Sequence, residues 1–220
     1  MSDATRAASA GKVSSAVPAE GIVRFPLAEE FCTLQGEGFQ TGTAAAFIRL
    51  GGCPNGCPWC DTEAAQTTDN CRWLTATEIA AMAAAHKTRT AVVTGGEPLI
   101  RNLDMLTEEL HKAGMRVFLE TSGTHPLSGD FDWICLSPKP FAPPAEPIFA
   151  KADEIKVVIG SRTDLQYAEQ CASKAGSRCK LYLQPEWNTR RSSIPLIVEY
   201  IKQHPEWKLS LQMHKYIDIP

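Results

Sequence analysis

Cys53, Cys57 and Cys60 lie on one short stretch, Gly51-Gly52-Cys53-Pro54-Asn55-Gly56-Cys57-Pro58-Trp59-Cys60-Asp61-Thr62. Thiols at this CxxxCxxC spacing are better placed to share a metal than to bridge one another. A structural zinc site closes with four ligands, usually as two separated pairs, and a cubane iron-sulfur cluster also takes four, one per iron. The local count stops at three. A cubane held by three cysteines keeps one iron open to a small molecule that can chelate it and receive an electron, which makes a reactive site rather than a staple. On the residues alone the alternative is a zinc site completed by a distant histidine such as His86 or His125, in a non-catalytic zinc-binding module.

A reactive loop needs a scaffold to aim it. Around it, β-rich runs alternate with amphipathic helical ones, the pattern of βα units about a parallel sheet. Ala44–Leu50 reads as the strand feeding the cysteine loop, and 90–94, 116–120, Trp133–Leu136, Glu154–Ile159, 180–184 and 208–213 read as further strands. Residues 75–86, 103–113, 163–175 and 194–203 read as helices, the first opened by Thr75 and Glu78 at capping-box spacing, the second closed by Gly114. Residues 140–147 form a proline-rich loop. A full eight-unit barrel takes about 250 residues, so the expected architecture is an α/β partial barrel of six or so units, open on one side. In such sheets chemistry collects at the C-terminal ends of the strands. The cysteine loop, Thr94-Gly95-Gly96-Glu97-Pro98, Glu120-Thr121-Ser122-Gly123-Thr124 and Ser137-Pro138-Lys139 each follow a predicted strand and should share one rim. Two bare glycines let a ligand's amino and carboxylate groups approach the backbone, and Glu97 can accept from an ammonium.

Composition narrows the rest. The 220 residues are 44% hydrophobic, enough for one well-buried core. Residues 1–20, rich in Ala, Ser and Gly, read as a flexible extension, and 21–220 as a single domain. A net charge of −3 without a basic run argues against nucleic acid. No apolar stretch reaches the roughly 18 residues that cross a bilayer. Eight cysteines without an apolar signal core point to a reducing, cytoplasmic setting rather than a disulfide framework. Cys32, Cys71, Cys135, Cys171 and Cys179 lack cluster spacing and read as free or buried thiols.

The cysteine triplet, its Trp59-Cys60-Asp61-Thr62 ending and the downstream Gly-Gly-Glu-Pro together resemble the signature of the radical S-adenosylmethionine superfamily. The resemblance implies one [4Fe-4S] cluster whose open iron is chelated by the methionine moiety of S-adenosyl-L-methionine. The reduced cluster then cleaves the sulfonium, and a 5'-deoxyadenosyl radical takes hydrogen from the substrate. Phe31-Cys32-Thr33-Leu34-Gln35-Gly36-Glu37-Gly38, Phe47-Ile48-Arg49-Leu50 and Gln212-Met213-His214-Lys215-Tyr216, taken with the rim turns, resemble the 7-carboxy-7-deazaguanine synthase family. A glycyl-radical activase shares the cluster loop but not these segments.

That second resemblance implies a ring contraction of 6-carboxy-5,6,7,8-tetrahydropterin to 7-carboxy-7-deazaguanine with loss of ammonia, on the way to queuosine and related deazapurines. It also implies Mg2+, a flavodoxin or ferredoxin as electron donor, and a homodimer. Carried over by motif, Leu34, Gln35, Gly36, Arg49, Thr94 and the terminal carboxylate of Pro220 would meet the pterin. Trp59, Cys60, Asp61, Gly96, Glu97, Ser137, Pro138 and Lys139 would meet the cofactor, and Thr62 would offer its hydroxyl to magnesium.

Overall fold

The computed structural model describes residues 22–220; the expected extension over 1–20 lies outside them. One nine-stranded sheet organises the chain, made of β1 (Arg24–Leu34), β2 (Ala44–Leu50), β3 (Arg72–Thr75), β4 (Thr90–Gly95), β5 (Arg116–Thr121), β6 (Trp133–Leu136), β7 (Glu154–Ile159), β8 (Lys180–Pro185) and β9 (Trp207–Leu209). The strand order is β3-β1-β2-β4-β5-β6-β7-β8-β9. From β2 onward every neighbour is parallel, while β1 runs antiparallel to both β2 and β3. The ends of this order do not pair with each other, so the barrel stays open, as expected.

Six helices accompany the strands among the described residues: α1 (Ala76–Ala85), α2 (Asp104–Lys112), α3 (Glu146–Phe149), α4 (Arg162–Ala172), α5 (Arg190–Gln203) and α6 (Met213–Ile217). The capping box before α1 forms: the Glu78 N–H donates to the Thr75 hydroxyl at 3.2 Å, and the Thr75 N–H donates to the Glu78 carboxylate at 2.7 Å. Between β5 and β6 a loop replaces the crossover helix among the described residues.

Parallel register decides which side chains work together, because paired residues point to the same face. Outward go Ile48, Leu50, Val93, Val117, Leu119, Leu136, Ile155, Val157 and Leu183, packed in the main core with Ile79 of α1, Leu106 and Leu110 of α2 and Ala168 of α4. The concave face carries a smaller apolar floor of Ala45, Val92 and Phe118 with Phe47 and Trp133 against it. Two residues further along the same face come Arg49 beside Thr94 and Glu120 beside Cys135, and β7 and β8 add Val158 beside Gln184. The polar layer therefore sits on the apolar floor at the C-terminal rim.

Two segments depart from expectation. The strand read over 208–213 ends at Leu209, where β9 pairs with Leu181 to Leu183 of β8, and Met213 already begins α6. The N-terminal run from Phe31 begins as the last four residues of an eleven-residue strand, β1, which is not among the strands read from the sequence, and its Gly36-Glu37-Gly38 lies in the turn between β1 and β2. Together these segments bridge the open side with polar contacts: the Gly38 N–H donates to Ser210 Oγ at 2.9 Å and the Met213 N–H to the Gly36 carbonyl at 2.9 Å.

Candidate active site

Two cavities open on the rim and share a wall. The first, about 210 Å³, is lined by Cys53, Cys57, Cys60, Trp59, Asp61, Gly96, Ser137 and Lys139 among others. The second, about 380 Å³, is lined by Phe31, Leu34, Gln35, Gly36, Arg49, Thr94, His214 and Pro220 among others. Glu37, Asp61, Thr62, Gly95, Glu120 and Lys215 line both. The rim loops thus come together as their positions after strands required.

The cysteine loop is pinned on both sides. The Gly52 and Cys53 N–H groups donate to the Ala65 and Gln66 carbonyls at 2.9 and 3.0 Å, and the Glu97 N–H donates to the Gly52 carbonyl at 2.9 Å. Asn55 Nδ2 donates to Ser122 Oγ at 2.8 Å, tying the loop to the end of β5. A zinc ion about 2.3 Å from each sulfur would draw three thiolates to about 4 Å from one another. Among the described residues, the set of three potential ligands whose donor atoms all lie within 4.8 Å is Glu169, His204 and Glu206, not the cysteines.

Gly96 lines this cavity and lets the turn after β4 press directly against the cysteine loop. A Cβ there would lie 2.3 Å from the Gly52 carbonyl oxygen and 2.6 Å from that of Ala65. Trp59 Nε1 is buried with no hydrogen-bond partner at the same cavity, while its ring meets Phe141 edge-on at 5.5 Å. Three thiols, a side-chain-free turn and an orphaned donor are what a cluster with a nucleoside-bearing cofactor would use. Lys139 folds back on Ser137, donating to its carbonyl at 2.7 Å and its hydroxyl at 2.6 Å. Burial pulls its ammonium below the usual lysine range.

Two residues expected at the cofactor do not line this cavity. Glu97 is 1% exposed and does not line the cavity; its carboxylate accepts from the Leu99 N–H at 3.0 Å, the Ser122 N–H at 2.8 Å and the Thr121 and Ser122 hydroxyls. With four donors already satisfied, it acts as a strut between the Gly-Gly turn and the β5 loop. Pro138 is buried and absent from the lining, because alternation in the short Ser137-Pro138-Lys139 segment turns its neighbours inward instead.

All six positions expected to meet the pterin line the second cavity. Phe31 and Phe47, cross-strand partners on β1 and β2, stack at 5.4 Å with planes 6° apart, giving a flat wall for a planar ring. Arg49 lies 5.8 Å from the Phe31 ring, and its Nε is 2.8 Å from the Glu29 carboxylate across the same strand pair. Gly36 is small because His214 lies over it: a Cβ would come within 2.3 Å of the imidazole Nδ1. The Thr62 hydroxyl lies 3.4 Å from Arg49 Nη1 and 3.3 Å from Asp61 Oδ1.

Residues 47–134 match the model of the Radical SAM superfamily. Along 197 residues the chain is 46% identical to the 7-carboxy-7-deazaguanine synthase of Synechocystis, covering 90% of this chain and 94% of that one. It is 44% identical over 195 residues to the synthase of Flavobacterium psychrophilum, covering 89% and 92%. The chain belongs to the 7-carboxy-7-deazaguanine synthase family. The crystal structure of QueE from Escherichia coli superposes with a TM-score of 0.79 at 31% identity, covering 89% of this synthase-family chain and 96% of that one.

Four further polar residues line the first cavity without a role assigned to them from the sequence: Glu37, Glu120, Lys156 and Gln212. Lys156 did carry a signal, a lone cation inside the apolar strand Glu154–Ile159. Gln212 Nε2 donates to Glu37 at 3.1 Å and to Asp61 at 3.0 Å, and Lys215 Nζ lies 2.7 Å from Asp61. These contacts span more than 150 positions, beyond the reach of any local pattern.

Proposed function

We propose that this chain catalyses the radical-mediated ring contraction of 6-carboxy-5,6,7,8-tetrahydropterin to 7-carboxy-7-deazaguanine with release of ammonia, serving queuosine and related deazapurine biosynthesis in the cytoplasm. Membership of the synthase family supports it. The observation that carries it is the pair of contiguous cavities, one bearing three thiols and a bare glycine turn, the other an aromatic wall and an arginine. Cys53, Cys57 and Cys60 would hold a [4Fe-4S] cluster, which with S-adenosyl-L-methionine would supply reductive carbon-sulfur cleavage and hydrogen-atom abstraction.

The chain's own residues bind, orient and exclude water. Gly96 leaves the backbone open to the methionine end of the cofactor, and Trp59, Asp61, Ser137 and Lys139 surround the rest. Leu34, Gln35, Gly36 and Thr94 frame the pterin, stacked against Phe31 and Phe47. Arg49 takes the substrate carboxylate, for which its planar fork is suited; the exchange from Glu29 is inexpensive because an exposed pair contributes about 0–1 kcal/mol. Thr62 gives an oxygen to Mg2+, a hard cation that keeps few protein ligands. Pro220 closes the cavity's edge. A flavodoxin or ferredoxin donates the electron, and the chain works as a homodimer.

The test is a mass-spectrometric assay of anaerobically reconstituted protein with reductant, Mg2+, S-adenosyl-L-methionine and the tetrahydropterin. Formation of 7-carboxy-7-deazaguanine together with 5'-deoxyadenosine is expected. Deoxyadenosine alone would overturn the substrate, and neither product from cluster-loaded protein would overturn the enzymatic reading.

A further inference from the structure

Lys156 is 3% exposed in the middle of β7, between the outward-facing Ile155 and Val157. An ammonium so placed must be paired. Its Nζ lies 2.7 Å from Glu37 Oε2 and 3.0 Å from Glu120 Oε2. The two carboxylates arrive from different directions, one from the loop after β1 and one from the end of β5. Each is also held at its other oxygen: Gln212 Nε2 donates to Glu37 Oε1 at 3.1 Å, and Gln35 Nε2 donates to Glu120 Oε1 at 3.0 Å. Both line both cavities.

Amide donors can aim a carboxylate, but only the ammonium offsets its charge. With two acids on one base, the cluster keeps an excess of acceptor capacity facing the cavities. The substrate proposed above presents ring N–H and amino donors. Resting on that reading, we propose that Lys156 is a positioning residue that fixes Glu37 and Glu120 as paired acceptors for the pterin's N–H groups on the wall shared by the two cavities. Burial pushes the Glu37 carboxyl up, yet the adjacent Lys156 ammonium holds it below the usual carboxylate range. The other titratable groups facing this node are Asp61, Cys135, Lys139, Glu154, His214 and Lys215. None of them is recorded in an ion pair with Glu37 or Glu120 among the described residues.

Lys156→Met keeps the length and removes the charge. Steady-state KM and kcat for the tetrahydropterin would be followed from about pH 6 to about pH 9, with iron content and substrate-free 5'-deoxyadenosine formation as controls. Without its cation Glu37 binds a proton more readily, so the acid limb of kcat/KM should move up by about one pH unit, and KM near neutrality should rise about tenfold. Lys156→Arg should return the limb toward the wild-type position. An unmoved acid limb and KM, in a background where the wild-type protein makes the deazaguanine, would overturn the proposal while leaving the substrate intact. A wild-type protein that makes no deazaguanine would instead sink the substrate reading. If Lys156→Met does not load its cluster, the double variant Lys156→Met/Glu120→Gln removes the excess buried charge. Its acid limb, set by Glu37 alone, must still lie above the wild-type limb for the proposal to stand.

Discussion

Replacing Glu97 by glutamine asks whether this residue of the Gly-Gly-Glu-Pro turn serves the cofactor or the fold. One oxygen takes the Leu99 N–H and the Thr121 hydroxyl; the other takes the Ser122 N–H and hydroxyl. A glutamine can keep only one of these as an acceptor. Its amide NH2 must face either the Leu99 or the Ser122 backbone N–H, and although the hydroxyls can rotate to accept, a backbone N–H cannot. One buried donor is left unmade, at about 1–3 kcal/mol. Weakening of the charge-assisted bonds to the remaining donors brings the loss to about 2–4 kcal/mol. In a chain of this length each kcal/mol moves the melting temperature by about 2–4 °C, so the variant should melt about 5–15 °C lower. The assay is a thermal melt of anaerobic, cluster-loaded protein, paired with a titration of S-adenosyl-L-methionine. A melt within about 2 °C of wild type, accompanied by a lost affinity for the cofactor, would refute the strut and return Glu97 to the ammonium.

Four other perturbations test separate parts of the site. Gly96→Ala would place a Cβ 2.3, 2.6 and 2.7 Å from Gly52 O, Ala65 O and Cys53 Cβ; two of these are backbone, so cofactor affinity measured by equilibrium dialysis should fall at least about tenfold. Cys57→Ala should yield protein without the cluster's iron or acid-labile sulfide and without cofactor cleavage. Arg49→Ala should spare substrate-free 5'-deoxyadenosine formation and raise KM for the pterin, with a melting temperature almost unchanged because Glu29, its partner, is half exposed; normal pterin turnover would remove the carboxylate assignment. Burial raises Glu154 from 4.5 to about 6, and its Oε1 has no hydrogen-bond partner. The folded state therefore holds the proton more tightly than the unfolded chain. The resulting stabilisation of about 2 kcal/mol is complete below about pH 4.5 and is lost as pH rises through about 6. Denaturation midpoints of Glu154→Gln should lack that component of the pH dependence, and an identical pH profile in variant and wild type would refute it.

What was legible before the fold was seen follows from how local each signal is. Trp133–Leu136 and Glu154–Ile159 are bounded as expected because β6 and β7 are apolar runs between turn residues, and the cysteine loop announces itself through side chains that have few other reasons to cluster. β1 was obscured by Pro26 and the charged pair Glu29 and Glu30, which belong there because β1 is antiparallel to its neighbours and half open to solvent. Glu97 shows the limit at a single residue: its motif identifies the turn, but whether the carboxylate faces ligand or Ser122 depends on where β5 delivers a loop 25 positions away. Lys156 shows it for a network. A lysine among Ile155, Val157 and Val158 says that something negative must meet it, and parallel register says that it faces the concave side; only the packed structure brings Glu37, 119 positions earlier by subtraction, against its ammonium. Local chemistry thus locates the cluster and the cofactor turn, whereas the substrate wall is assembled from residues whose meaning exists only once β1, β5, β7 and the segment before α6 converge. Substrate discrimination by this chain should accordingly depend on long-range polar contacts such as Lys156–Glu37 more than on the motif that marks the radical chemistry.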